Sequence, residues 1–294
     1  REGVRRAVGA AAPQRRVSTR CRRRGSTGSR ARTACSTRGA AGSTLYAGDE
    51  IVPVAAITAT PGGDNVGCGD AYVAMLTAGV VLTVDAHDAV LDDAAVAIDR
   101  GVVVDVGPVA EVLARVVPRE RVDLPRHLLM PGLVNAHTHL SMAMFRGFTD
   151  DLDLADFLGR IVPAEATMLD AATVGTGTRA AATESVCGGV TSALDMYFFP
   201  DAGLAAGAEV GLRVLSGPVV LDDEGIHSLG PDALVDDPES WLAEHPPVAG
   251  WRPVVSPHSV YTVARERLVH AGELAAAHDA VLHLHAAEAM AEVQ

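Results

Sequence analysis

Over its second half, the chain alternates between apolar, β-branched runs and alanine-rich stretches, and this alternation limits the choice of folds more than any other feature. The strand candidates cover residues 128–139, 190–198, 212–220, 254–260 and 281–285, and the helix candidates cover residues 164–187, 202–210 and 264–278. Repeated βα units favour a parallel sheet buried on both faces, either a barrel or a doubly wound sheet. A (β/α)8 barrel has eight units in about 250 residues, and we count five.

A different pattern precedes this half. Short β-branched runs at residues 80–84, 94–98 and 102–106 are separated by Asp and Gly residues that favour turns. A further run at residues 122–125 ends at Pro125. These runs predict the strands of a small β domain ahead of the βα units.

Histidines lie at the ends of two strand candidates. His137 and His139 are separated by one residue, so on a strand both side chains point the same way. His285 ends the last strand candidate, and Glu288 follows three residues later. His283 has the same parity as His285, so it either packs below the site or replaces His285 as a ligand.

Neutral imidazoles suit Zn²⁺ or Fe²⁺, and an open coordination position would hold water. Such a metal lowers the pKa of water toward about 7, which supplies hydroxide at neutral pH. Glu288 could take the proton of that water and deliver it to a ring nitrogen or to the departing amine. The pattern therefore predicts a metal-dependent hydrolase.

Charge and cysteine usage exclude other classes of protein. There is no lysine, and 12 of the 24 arginines lie in residues 1–40; residues 41–294 carry 12 arginines against 36 acids, a formal charge of −24. Phosphate would be repelled by this acidic body, so we expect no nucleic-acid partner. No apolar run approaches the roughly 20 residues of a membrane helix, so we expect no membrane partner. Four scattered cysteines suggest neither a disulfide framework nor a zinc knuckle, which favours the cytoplasm.

Several motifs in order resemble the amidohydrolase superfamily, in the branch that deaminates S-adenosylhomocysteine, methylthioadenosine and related aminopurines or dechlorinates triazines. The resemblance covers roughly residues 78–294 and is carried by segments 131–140, 145–151, 162–165, 195–197, 256–261 and 283–288. It implies a small β-sandwich portion followed by a metal-dependent (β/α)8 TIM-type barrel, of which about five of eight units are present.

The resemblance also implies roles for individual residues. His137, His139 and His285 match metal ligands, and Glu288 matches the general acid/base. Glu165 matches a carboxylate that contacts the ribose of the substrate in the adenosine-deaminating members. His258 stands where the family has a histidine that contacts the substrate. Phe157 stands where the nucleoside deaminases often carry a tryptophan. Asp195, at the end of the second strand, is predicted to be structural.

Two features predict a truncated or chimeric chain. The family also uses a histidine on the sixth barrel strand and an aspartate on the eighth, and the sequence contains neither strand. Residues 64–72, Asp-Asn-Val-Gly-Cys-Gly-Asp-Ala-Tyr, are similar to the signature of ribokinase-like kinases, but the match covers only about thirty residues. We therefore predict a disordered arginine-rich leader at 1–50, a ribokinase-like remnant or linker at 51–77, the β-sandwich portion at 78–127 and a truncated barrel at 128–294.

Together these observations predict an aminohydrolase with one divalent metal, Zn²⁺ or alternatively Fe²⁺. Its small-molecule substrate would be an aminopurine nucleoside or a related amino-substituted N-heterocycle. The alternatives are a chlorohydrolase or cyclic-amide hydrolase on the same scaffold, or a non-catalytic truncated or chimeric remnant. Since there is no lysine to carboxylate, the binuclear hydantoinase-like members are disfavoured. Whether the chain forms a homo-oligomer stays open.

Overall fold

The computed structural model describes residues 73–99, 101–222, 233–288 and 290, together with the backbone of three short strands. These strands, β1 (Thr33–Thr37), β2 (Ser43–Ala47) and β3 (Glu50–Val54), form an antiparallel sheet in the order β1-β2-β3. The kinase-like segment 64–72 and most of the arginine-rich leader lie outside the described residues.

The next part is a four-stranded sheet with one helix. Its strands are β4 (Val73–Leu82), β5 (Val90–Asp99), β6 (Val102–Pro108) and β7 (Glu120–Leu129), in the order β6-β5-β4-β7, and α1 (Val109–Arg115) follows β6. Met75, Ala95, Ala97 and Val112 form the buried core between sheet and helix. The three predicted β-branched runs fall in β4, β5 and β6, although Thr83 and Val84 lie beyond the end of β4. The β-sandwich and the division into domains stay predictions.

A glycine lets β7 approach β4 closely. The register between the two strands shifts between Ala78 and Val80. A Cβ at Gly79 would lie 2.4 Å from the carbonyl oxygen of Pro125. Only a residue without a side chain fits there. β7 runs to Leu129, so the expected end of this run at Pro125 was wrong.

Parallel strands with helices between them make up the second half. The strands are β8 (Leu133–Thr138), β9 (Val190–Asp195), β10 (Arg213–Leu215), β11 (Val219–Val220), β12 (Val254–Pro257) and β13 (Val281–Leu282). They pair in parallel as β10-β9-β8 and as β11-β12-β13. The chain between β10 and β11 joins the two sets, because Ser216 and Pro218 accept backbone hydrogen bonds from Val254 and Ser256 of β12. This is the α/β arrangement that the alternating pattern predicted.

The intervening helices are a 3-10 helix at Leu140–Phe145, α2 (Leu154–Met168), α3 (Ala171–Cys187), α4 (Pro200–Val210), α5 (Pro238–Glu244) and α6 (Arg265–Ala277). The prediction of one helix over residues 164–187 was wrong. The carboxylate of Asp170 accepts the backbone N–H of Thr173 at 2.7 Å and so caps the start of a new helix, α3, just after α2 has ended. α5 was not predicted.

Two further findings concern one cysteine and the character of the helices. Cys187, the last residue of α3, is disulfide-bonded, which the scattered cysteines did not lead us to expect. Among the described residues, no helix combines the length and the apolar character needed to cross a membrane.

Candidate metal centre

Three histidines meet at the carboxyl ends of the first and last parallel strands. His137 is in β8, His139 directly follows it, and His285 lies just beyond β13. One ring nitrogen from each lies within 4.8 Å of the others, and the Nε2 atoms of His139 and His285 are 3.3 Å apart. Sequence parity had predicted that His137 and His139 point the same way, and the segment after β13 adds the third ring.

Backbone carbonyls fix two of these rings. The Nδ1–H of His139 donates to the carbonyl oxygen of Met196 at 2.6 Å, and that of His285 donates to the carbonyl oxygen of His258 at 2.9 Å. With the proton held on Nδ1, each Nε2 keeps its lone pair. Burial lowers the pKa of His139 to about 4 and also lowers that of His137, so both rings are neutral at pH 7.

The geometry fits a tetrahedral metal. Two ligands at the usual Zn–N distance of about 2.05 Å, separated by a tetrahedral angle, lie about 3.3 Å apart. The Nε2 atoms of His139 and His285 have that spacing. Three imidazoles in this arrangement could hold Zn²⁺ or Fe²⁺ and leave a coordination position open.

Asp195 anchors the backbone beside His139. Its buried carboxylate accepts the backbone N–H of Leu140 at 2.7 Å, and the next residue, Met196, donates its N–H to Thr138 at 3.0 Å. Burial raises the pKa of Asp195 to about 7. These contacts agree with the structural role predicted for Asp195, and they hold the end of β9 against the residues that flank His139.

A cavity of about 180 Å³ opens beside the histidines. Most of its lining is apolar and includes Met142, Phe157, Ile161, Val219 and Leu221. Its polar lining consists of His139, Glu165, Tyr197, His258, Tyr261, Thr262 and Glu288. The structure therefore brings Glu165, His258 and Glu288 to the same cavity as His139, although they are far apart in sequence.

Glu165 lies in the inner wall of this cavity. It is 6% exposed and its Oε1 accepts the hydroxyl of Tyr197 at 2.5 Å. Burial raises the pKa of Glu165 to about 7, against an opposing effect of the Tyr197 hydrogen bond. A carboxyl group in this state is partly protonated at neutral pH and can both donate and accept a hydrogen bond.

We expect the buried Glu165 to make the metal-free chain less stable as the pH rises. The folded state holds the proton to a pKa of about 7 and the unfolded state to about 4.5, so the unfolded state ionises first. The contribution of Glu165 to the free energy of unfolding is fully present below pH 4.5. About 2 kcal/mol of this contribution is lost between about pH 5 and 7.5. Urea unfolding at the two pH values measures this loss.

The Glu165→Gln variant is expected to remove that part of the pH dependence. Asp195 has a raised pKa as well, so a slope in the same direction remains. Glu244→Gln, on the exposed side of α5, is the matched control and keeps the full slope. A Glu165→Gln variant with the same pH dependence as the unsubstituted chain contradicts the assignment.

Glu288 and His258 each have a hydroxyl partner. Tyr261 donates its hydroxyl to Oε2 of Glu288 at 2.7 Å, and Nδ1 of His258 lies 2.8 Å from the hydroxyl of Thr262. Burial lowers the pKa of His258 to about 4, so this ring is neutral. The ring of His258 packs edge-on against that of His285, with 4.8 Å between the centroids.

The geometry favours one of the two alternatives predicted for His283. The group of three ring nitrogens contains His285 and not His283. Instead, Nε2 of His283 lies 2.8 Å from Nδ1 of His137. The ring of His283 therefore packs against the ring of His137, next to the cluster.

Sequence reasoning missed several partners at this site. The hydroxyls of Tyr197 and Tyr261 contact the two carboxyl groups of the cavity, and Met196 contacts His139 through a backbone carbonyl. Both tyrosines lay within motifs that the sequence singled out. A carbonyl partner leaves no signal in side-chain chemistry, so it could not have been found.

Comparison with known proteins identifies the family of the chain. Residues 128–294 match the amidohydrolase family. The chain is 36% identical over 221 residues to a 5-methylthioadenosine/S-adenosylhomocysteine deaminase from Desulfovibrio desulfuricans, a match that covers 75% of this chain and 50% of the relative. Thus the chain spans about half the length of such curated relatives.

Solved structures give the same result. A zinc-bound adenosine deaminase from Xanthomonas campestris superposes with a TM-score of 0.67 at 35% identity, covering 75% of this chain and 50% of that one. The zinc complex of atrazine chlorohydrolase from Arthrobacter aurescens superposes with a TM-score of 0.60 at 23% identity, covering 72% and 52%, which is evidence for the fold alone. The chain belongs to the amidohydrolase family, and its α/β fold is of the TIM-barrel type.

Proposed function

We propose that the chain carries the first part of the active site of a metal-dependent aminohydrolase that deaminates an aminopurine nucleoside or a related amino-substituted N-heterocycle. The observation that carries this proposal is the cluster of His137, His139 and His285 beside a cavity that is lined by His139 and Glu288. The similarity to adenosine-derivative deaminases supports the same reaction.

His137, His139 and His285 would hold one divalent ion, and we propose Zn²⁺, with Fe²⁺ as the alternative. Zinc is bound in the Xanthomonas campestris relative, and the imidazole donors of this chain suit either ion. When bound, the ion acts as a Lewis acid that makes water nucleophilic at neutral pH.

The protein side chains move protons and hold the substrate. Glu288 would accept a proton from the attacking water and transfer it to a ring nitrogen or to the leaving amine, so that ammonia departs. The neutral Nε2 of His258 would contact the ring, since its Nδ1 is engaged by Thr262. Glu165, held by Tyr197, would contact the substrate's hydroxyls, and the apolar lining would keep the flat ring away from bulk water.

We further propose that residues 128–294 supply five of the eight units of a barrel. The support is the run of strands β8, β9, β10 with β11, β12 and β13, in which β10 and β11 lie on one stretch of chain. The domain boundaries at residues 50, 77 and 127, the small-molecule partner and the cytoplasmic location stay predictions from the sequence.

The test combines metal content with product release. The purified chain, loaded with Zn²⁺ and dialysed, is incubated with S-adenosylhomocysteine, methylthioadenosine, adenosine and a chlorinated triazine. Ammonia released from a nucleoside, with about one zinc per chain, supports the proposal. Chloride released from the triazine favours the chlorohydrolase instead. Bound zinc without either product means that the chain holds the metal but not the activity, and no bound zinc contradicts the metal site.

A further inference from the structure

His137 differs from the other two histidines of the cluster in what holds its ring. His139 and His285 each donate Nδ1–H to a backbone carbonyl. The Nδ1 of His137 instead lies 2.8 Å from a side-chain atom, the Nε2 of His283. The two rings lie edge to face, with 4.8 Å between the centroids and 71° between the planes.

The position of His283 is itself fixed by its backbone. Its N–H donates to the carbonyl oxygen of Val255 in the neighbouring strand β12 at 3.0 Å. The backbone of His283 is therefore held to the parallel sheet, and its ring lies against that of His137. A side chain held in this way can restrain its neighbour without contacting substrate or metal.

We propose that His283 is a positioning residue, whose Nε2 accepts the Nδ1–H of His137 and so directs the Nε2 of His137 toward His139 and His285. This role rests on the metal site proposed above. At 2.8 Å, one of the two facing nitrogens carries a proton, because two facing lone pairs would repel each other. Only the arrangement with the proton on Nδ1 of His137 leaves its Nε2 free to bind a metal.

This arrangement has a cost that an apolar side chain would avoid. When Nε2 of His283 is the acceptor, the proton of that neutral ring is on Nδ1. That Nδ1 is buried and has no hydrogen-bond partner among the described residues. A buried N–H without a partner is unfavourable, so packing alone does not explain a histidine here. Its contact with His137 does.

The test compares two substitutions at this position. His283→Gln keeps an acceptor near the position of Nε2, whereas His283→Leu removes it. We expect the leucine variant to bind Zn²⁺ about 10- to 100-fold more weakly in a chelator competition, and the glutamine variant to stay within about 3-fold. With Co²⁺ as the probe, the visible absorption bands should shift in the leucine variant alone.

Controls separate this role from a general loss of structure. His270→Gln, on the exposed surface of α6, should bind zinc like the unsubstituted chain, and each variant is checked by thermal unfolding without metal. Nitrogen NMR of the zinc-loaded chain should find the protons of His137 and His283 on Nδ1.

Three results would overturn the proposal. A leucine variant with unchanged zinc affinity and an unchanged Co²⁺ spectrum leaves His283 no positioning role. Equal weakening in the glutamine and leucine variants assigns the effect to packing. An unsubstituted chain that binds no zinc refutes the proposed metal site itself, which is a different outcome from the first two.

Discussion

Replacing His137 with alanine is expected to reduce the zinc content of the chain from about one ion per chain to a small fraction of that value. The described part of the site offers three imidazoles, and two ligands are too few for a stable zinc site. The loss should be visible by atomic absorption after dialysis against a weak chelator. It should not depend on whether the chain turns over any substrate.

The matched control for this prediction is His270→Ala. His270 is on α6, its side chain is 66% exposed, and its Nδ1 lies 3.9 Å from Oε2 of Glu273. This variant removes an imidazole from the chain but not from the cluster, so its zinc content should stay at about one. If both alanine variants retained their zinc, the ion would be bound elsewhere and the site would be wrongly assigned.

The histidine cluster illustrates what could be read from the sequence. A spacing of two residues on a strand determines that His137 and His139 share a face, whatever the rest of the fold. The pairing of these residues with His285 followed from the family resemblance and from parallel strands, whose carboxyl ends lie at the same edge of a sheet. The structure then supplied the distance of 3.3 Å between His139 and His285.

Other features depend on contacts that sequence spacing does not encode. The break between α2 and α3 depends on Asp170 accepting the N–H of Thr173, and an aspartate inside an alanine-rich stretch gave too weak a signal to divide the helix. Likewise, the hydrogen bond between Glu165 and Tyr197 joins residues 32 positions apart and depends on how α2 packs against the residues that follow β9. Such partners are decided by tertiary packing.

The cavity shows how the same fold gives two carboxyl groups different properties. Glu165 is a buried residue of α2 and its pKa is raised to about 7, whereas Glu288 is exposed at the cavity mouth and its Oε2 accepts the hydroxyl of Tyr261. A buried, partly protonated carboxyl suits hydrogen bonding to substrate hydroxyls. A carboxylate at the mouth, near the histidines, suits proton transfer. These properties support the role proposed above for Glu288 as the catalytic group of the pair.

Replacing Glu288 with glutamine is expected to lower kcat for ammonia release by about 10²- to 10⁴-fold while leaving the zinc content unchanged. Glutamine keeps the size of the side chain, and its amide oxygen can still accept the hydroxyl of Tyr261, but it cannot take up or deliver a proton. Steady-state kinetics with the nucleoside that the unsubstituted chain deaminates, together with metal analysis, measures both quantities.

Two further variants show whether this loss comes from proton transfer. Tyr261→Phe removes the hydrogen bond to Glu288 but leaves the carboxylate, so its kcat should fall by only about 10-fold or less. Glu244→Gln, outside the cavity, should have no effect. If Tyr261→Phe were as inactive as Glu288→Gln, the orientation of the side chain would limit the rate, whereas an active Glu288→Gln variant would mean that another group moves the proton. Only the expected order, a large loss for Glu288→Gln and a small one for Tyr261→Phe, assigns the proton transfer to the carboxylate itself.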